Sequence, residues 1–251
     1  MSQEIILPKY AHPVAEQEHF NFACHKGVSC FTECCRMLEL PLTPYDVLRL
    51  RKGTEKSSRQ LLDNYIIEEQ DPTEPFPRFY LTMIDDGRAS CVFVSSAGCE
   101  VYDHRPSACR AYPIGRGAIR LEEGNTIEEH FVLIKEEHCQ GFNEPAPHTV
   151  SSYTKDQELL PYNQSNDLVS TILQHESIRK GFIPSKKQIE QFTLALYDVD
   201  TFREKIENDL LPSITGDEKK KLHQASDETL LHFAVDWISR ELFCSTSVLT
   251  R

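Results

Sequence analysis

Eight of the nine cysteines lie between Cys24 and Cys139, and the ninth is Cys244 near the far end. The first four are crowded into Cys24-His-Lys-Gly-Val-Ser-Cys30-Phe-Thr-Glu-Cys34-Cys35, and Cys91, Cys99, Cys109 and Cys139 follow at wider spacing. Thiolates are soft donors that take zinc or iron in tetrahedral geometry. Four would complete one zinc ion or one cubane cluster, and eight would suffice for two centres. The competing use of eight thiols is a disulfide framework. Such frameworks belong mainly to small secreted domains. The opening MSQEIILPKYAHPVAEQ has neither a basic leader nor a long apolar core, and no apolar run approaches the ~20 residues that span a bilayer. The expectation is a soluble, cytoplasmic chain whose thiols stay reduced and open to metal.

The spacing narrows the chemistry further. A common zinc ribbon uses two Cys-x-x-Cys knuckles, and this sequence has neither. Adjacent Cys34 and Cys35 would point to opposite sides of an extended backbone. They are expected to serve different centres, or one to ligate while the other packs beside it. An iron–sulfur cluster is larger than one ion and tolerates such irregular loops.

A four-thiolate site holding zinc, or a cubane in its 2+ state, carries net charge −2 and needs compensation. The chain as a whole is acidic, with 39 Asp and Glu against 27 Lys and Arg. Residues 104–121 reverse that balance, with Arg105, Arg110, Arg116 and Arg120 and no acidic residue. Arg105 and Arg110 are expected to neutralise the metal site from nearby. The same stretch, 105–120, could instead receive a protein partner or an anionic small molecule, or its arginines could pair with surface glutamates. The acidic excess makes nucleic acid a poor partner. His25, His104 and His138 lie close to cysteines and are expected to support the site rather than replace a thiol. Tyr102 and Tyr112 are expected to pack over it, and Cys244 to behave as a small hydrophobe. The sequence contains no His-Glu-x-x-His, Gly-x-Ser-x-Gly or Walker loop, so no catalytic residue is assigned.

Helical signals begin at Thr43 as a cap with Pro44 at the first position, running through 45–51 to Gly53. A second helix is expected over 58–69, where Leu61, Leu62, Tyr65 and Ile66 recur at helical spacing. A hairpin is expected from 78–84 and 89–94 around Asp85-Asp86-Gly87. After a Pro-containing linker at 143–149 come helices marked by Leu168, Val169, Ile172 and Leu173, by Ile189, Phe192 and Leu196, and by Phe202, Ile206 and Leu210. The last helix begins near Ser226 or Asp227, with Leu231, Ala234, Val235, Ile238 and Leu242 as its buried stripe. The fold class is mainly α with a small β-hairpin, hence α+β. The expected layout is an N-terminal extension over 1–21, a loop-rich cysteine-cluster domain over 22–142, and a helical region over 143–251.

Three segments carry a resemblance: Cys30-Phe-Thr-Glu-Cys34-Cys35-Arg36, then Leu42-Thr43-Pro44-Tyr45-Asp46-Val47, then Cys91 through Cys99-Glu-Val-Tyr-Asp-His-Arg-Pro-Ser-Ala-Cys109-Arg-Ala-Tyr-Pro113. Together they resemble the YkgJ-type cysteine-cluster family over about 22–142, and Cys139-Gln-Gly fits its last cysteine. The resemblance implies a zinc- or iron-chelating domain whose ligand pool is Cys24, Cys30, Cys34, Cys35, Cys91, Cys99, Cys109 and Cys139. A related cluster in flagellin lysine N-methylases, where an iron–sulfur centre is implied, adds a methyltransferase-like enzyme as an alternative. The leading expectation is a metal-binding protein carrying one or two 4Fe-4S clusters. A zinc-stapled interaction module is the other alternative.

Overall fold

The computed structural model describes residues 7–121 and 126–244, so the first six residues of the expected extension lie outside it. Among the described residues are ten α-helices and several short antiparallel sheets, an α+β chain. No helix among them is long and apolar enough to cross a membrane.

The chain forms two compact units, neither continuous in sequence. One takes in the chain up to Leu38, Met83–Tyr102 and Ser107–Pro161. The other takes in Glu39–Thr82, Asp103–Pro106 and the chain from Tyr162 onward. Every cysteine from Cys24 to Cys139 falls in the first unit, and Cys244 in the second.

The first unit is organised by a three-stranded sheet in which Ile127–Ile134 lies between Ala11–Pro13 and Ile114–Arg120. Sequence periodicity does not single out this sheet, because glutamates and glycines interrupt the apolar alternation. Gly115 shows why glycine is needed. It faces Val132 in the register, and a Cβ there would sit 2.8 Å from a Val132 methyl carbon. Behind the sheet, Val14, Phe20, Phe22, Ile114, Leu133, Val150 and Tyr153 form the core. Tyr112, Phe142 and Cys139 pack against it. Phe22 is its hub, meeting Tyr112, Phe142 and Tyr153 edge-on at 5.8, 5.2 and 6.0 Å. Such ring pairs add about 0.5–1.5 kcal/mol each beyond simple burial.

The second unit is helical, with one hairpin. Thr43 caps the Pro44–Thr54 helix as expected, its Oγ1 accepting from the Asp46 N–H while Asp46 accepts the Thr43 N–H at 2.9 Å. The next helix, Ser58–Asn64, is shorter than 58–69. Tyr65, Ile66 and Ile67 favour extended backbone through ring bulk and β-branching, and Ile66–Glu69 is a strand. That strand pairs with Arg78–Leu81, so the expected hairpin is corrected at its base, while its tip stands: Met83–Ile84 pairs with Ser90–Cys91 around Asp85-Asp86-Gly87 in the first unit. Later, Leu173 and Leu210 are exposed rather than buried, and Leu210 lies past the end of the Val199–Glu207 helix. The stripe of the final helix, Asp227–Phe243, is buried throughout.

A polar knot joins four helices in this unit. Asp200 accepts from Arg51 Nε and Nη2 at 2.8 and 2.7 Å and from the Ser58 N–H at 2.7 Å. Arg51 also pairs with Asp227, which accepts from Arg203 at 2.9 Å, and Ser58 Oγ donates to buried Asp198 at 2.8 Å.

Candidate metal centre

None of the nine cysteines, all of them among the described residues, is joined in a disulfide. The eight of the first unit sort by neighbourhood. Cys24, Cys30, Cys34 and Cys139 line one cavity together with Phe22, Val28, Tyr112 and His138. Its free volume is about 10 Å³, room for about one water-sized sphere. Cys24 follows the short strand Phe20–Asn21, while Cys30 sits in a turn. Cys34 and Cys35 form a single 3₁₀ turn, Glu33–Cys35, entered through Thr32 in the left-handed region. Cys139 comes from the turn after the sheet, its N–H bonded to the Glu136 carbonyl.

Cys35 does not line the cavity. Arg36 bridges Ser90 in antiparallel fashion, and the Met37 N–H donates to the Ala89 carbonyl at 2.9 Å. The bridge brings the chain just after Cys35 to the Ser90–Cys91 strand. Cys99, on the Val94–Ser95 and Gly98–Cys99 hairpin, is close enough to raise the pKa of Cys91, although burial is the larger cause. The two neighbourhoods adjoin. Cys34 and Cys35 interact directly, and the Phe31 ring lies against Gly98, where an added Cβ would be 3.2 Å away. Gly98 also has φ +116, a conformation few other residues adopt. Cys109 is half-buried in the short helix Ser107–Ala111 of the same unit.

Among the described residues, no three His, Cys, Asp or Glu side chains form a preformed single-ion site. The donor set nevertheless fits a thiophilic metal. The Gln140 N–H donates to Cys30 Sγ at 3.1 Å, the kind of backbone donor that stabilises a sulfur ligand. Two of the cavity thiols, Cys34 and Cys139, are pushed toward the protonated form. Cys34 is raised by its bond with Cys35, then by burial and by the charge of Glu136. Cys139 is raised by burial, against a lowering contribution from Tyr112. Metal uptake therefore displaces protons.

Other expected residues separate from this cluster. Arg110 is buried and donates to the Gln157 carbonyl at 2.9 Å, and it does not line the cavity. Arg105 lies in the second unit, where the Tyr162 hydroxyl donates to its carbonyl at 3.2 Å. Arg116 pairs with Glu129 across the sheet, the surface pairing weighed for this stretch. His25 faces Glu144 at 3.3 Å, while His138 lines the cavity. Sequence reasoning passed over Glu136, whose carboxylate acts on both Cys34 and Tyr112. The available signal was its place three residues before Cys139, in an acid-acid-His-Cys run.

Residues 23–140, which contain all eight of these thiols, match the model of a family described as a putative zinc- or iron-chelating domain, CxxCxxCC. The match spans just under half of the chain and coincides with the segment whose motifs carry the resemblance. The family's description supports metal chelation through the cysteine-cluster domain. Comparison with the curated proteins and with the solved structures returns no match.

Proposed function

We propose that the cysteine-cluster domain holds iron as a cysteine-ligated iron–sulfur cluster of the 4Fe-4S type, within a protein that works in the reducing cytoplasm. The observation that carries this is the grouping of thiols: Cys24, Cys30, Cys34 and Cys139 about one cavity, Cys35 in contact with Cys34, and Cys99 near Cys91. Cys109 is the remaining thiol of the unit and would complete a second set of four. A bound cluster would supply one-electron chemistry or a structural anchor. The chain's own part is to present the sulfurs from loops rather than a rigid ladder, so the 24–35 segment can widen around an inorganic core. Cys30 would receive the Gln140 N–H, and His138 would limit access from one side. Arg110, buried in the same unit, would offset the site's charge at longer range.

The cavity's size favours a second reading, a single zinc ion, which needs less space than a cubane. Anaerobic purification followed by elemental analysis and a visible spectrum separates the two. Iron and sulfide in equal amounts with broad visible absorption support the cluster. Stoichiometric zinc with a colourless protein would replace it by the zinc module.

A further inference from the structure

Tyr112 is held more firmly than the cysteines around it. Its ring meets Phe22 edge-on in the core, its carbonyl accepts from the Tyr153 hydroxyl at 2.6 Å, and its N–H donates to the Ala108 carbonyl at 3.2 Å. From this fixed base the side chain lines the cavity shared by Cys24, Cys30, Cys34 and Cys139. Its hydroxyl is buried and meets no partner at hydrogen-bond geometry. It lies within interaction range of the Cys139 thiol and the Glu136 carboxylate, short of a formed bond with either. A buried donor left unsatisfied costs about 1–3 kcal/mol, so such a group is normally explained by an acceptor that appears in another state. A neutral thiol is a weak acceptor, whereas a thiolate takes a strong, charge-assisted hydrogen bond.

We propose that Tyr112 is a positioning residue of the metal centre: its buried hydroxyl donates to the Cys139 sulfur when that sulfur is a metal-bound thiolate, and thereby slows metal loss. This rests on the metal-binding reading given above. Groups that hydrogen-bond a metal ligand typically change metal affinity about 10–100-fold when removed. The phenol also fills the wall of the cavity, so Tyr112→Phe removes the donor and keeps the packing.

The test uses the full chain, loaded anaerobically, with metal release to a chelator followed by elemental analysis and the metal-free protein followed by thermal unfolding. Tyr112→Phe is expected to take up metal in the wild-type amount, then release it about tenfold faster or more. Its metal-free form should melt no lower than the wild type, because no formed hydrogen bond is lost. Equal release rates overturn the proposal and point to Glu136 as the resident acceptor. A metal-free Tyr112→Phe protein that melts early, or fails to fold, overturns it as well and makes Tyr112 a core residue only. A wild-type protein that takes up no metal removes the metal-binding reading itself, an outcome distinct from the other two.

Discussion

Cys34 and Cys35, adjacent in one 3₁₀ turn, interact directly through their side chains rather than pointing apart. Cys34 also lines the cavity with Cys24, Cys30 and Cys139. The 3₁₀ turn, in place of an extended backbone, keeps the two thiols of the adjacent pair within reach of each other.

If the neighbourhoods are separate centres, substitutions should group accordingly. Cys30→Ser and Cys139→Ser are expected to remove about half the bound metal each, and the double variant no more than either. Cys139→Ser with Cys91→Ser should remove nearly all, since independent sites add and shared ones do not. Elemental analysis of folded protein reads this directly. Complete metal loss from any single substitution would indicate one shared centre.

Cys244 lies in the second unit, exposed at the end of the final helix. Cys244→Ser should leave both metal content and thermal midpoint unchanged, because the residue is exposed and caps the final helix through its backbone N–H, which serine keeps. A fall in metal content would bring it into the ligand pool.

The Asp200 knot should make the second unit acid-sensitive. Burial works to raise the Asp200 pKa, but the Arg51 and Ser58 hydrogen bonds outweigh it and the net shift is downward. A carboxylate lowered in the folded state contributes stability above its unfolded value of about 3.9, and that contribution disappears as pH falls through the folded value. Denaturant unfolding at pH 7 and near pH 3 should show the loss. Asp200→Asn should cost about 1–3 kcal/mol at pH 7, given partly exposed partners, and should flatten the acid dependence. An unchanged acid limb in the variant would assign the sensitivity elsewhere.

Gly115→Ala should destabilise the first unit by about 1–3 kcal/mol through overpacking against Val132. Hydrogen exchange across Ile114–Arg120 and Ile127–Ile134 would report faster opening of that sheet. Wild-type protection factors there would mean that Val132 yields at little cost.

The helical elements were legible because their signals are local. Thr43 with Pro44, Ser226 with its cap, and the Leu231 to Leu242 stripe each state an element within one or two turns of chain. The ligand-bearing residues were legible for the same reason, since thiol crowding needs no partner to be noticed. What pairs with what was not. Whether Arg78–Leu81 joins Ile66–Glu69 or residues 89–94 depends on which partner completes an apolar face, and both choices alternate acceptably. The return of Glu39–Thr82 to the unit of the late helices is likewise a long-range fact that a linear pass does not contain. Tyr112 could be placed over the site from its motif, but its unsatisfied hydroxyl becomes visible only once Phe22 and Tyr153 fix its ring and backbone.

Thiol accessibility tests the central claim most directly. The metal-loaded protein should be alkylated anaerobically under native conditions and each cysteine read by peptide mass. The account predicts that Cys244 reacts readily while Cys24, Cys30, Cys34, Cys35, Cys91, Cys99, Cys109 and Cys139 are protected, and that a chelator exposes them together. Protection that is identical before and after chelation would show that folding alone, with no inorganic centre, holds those sulfurs.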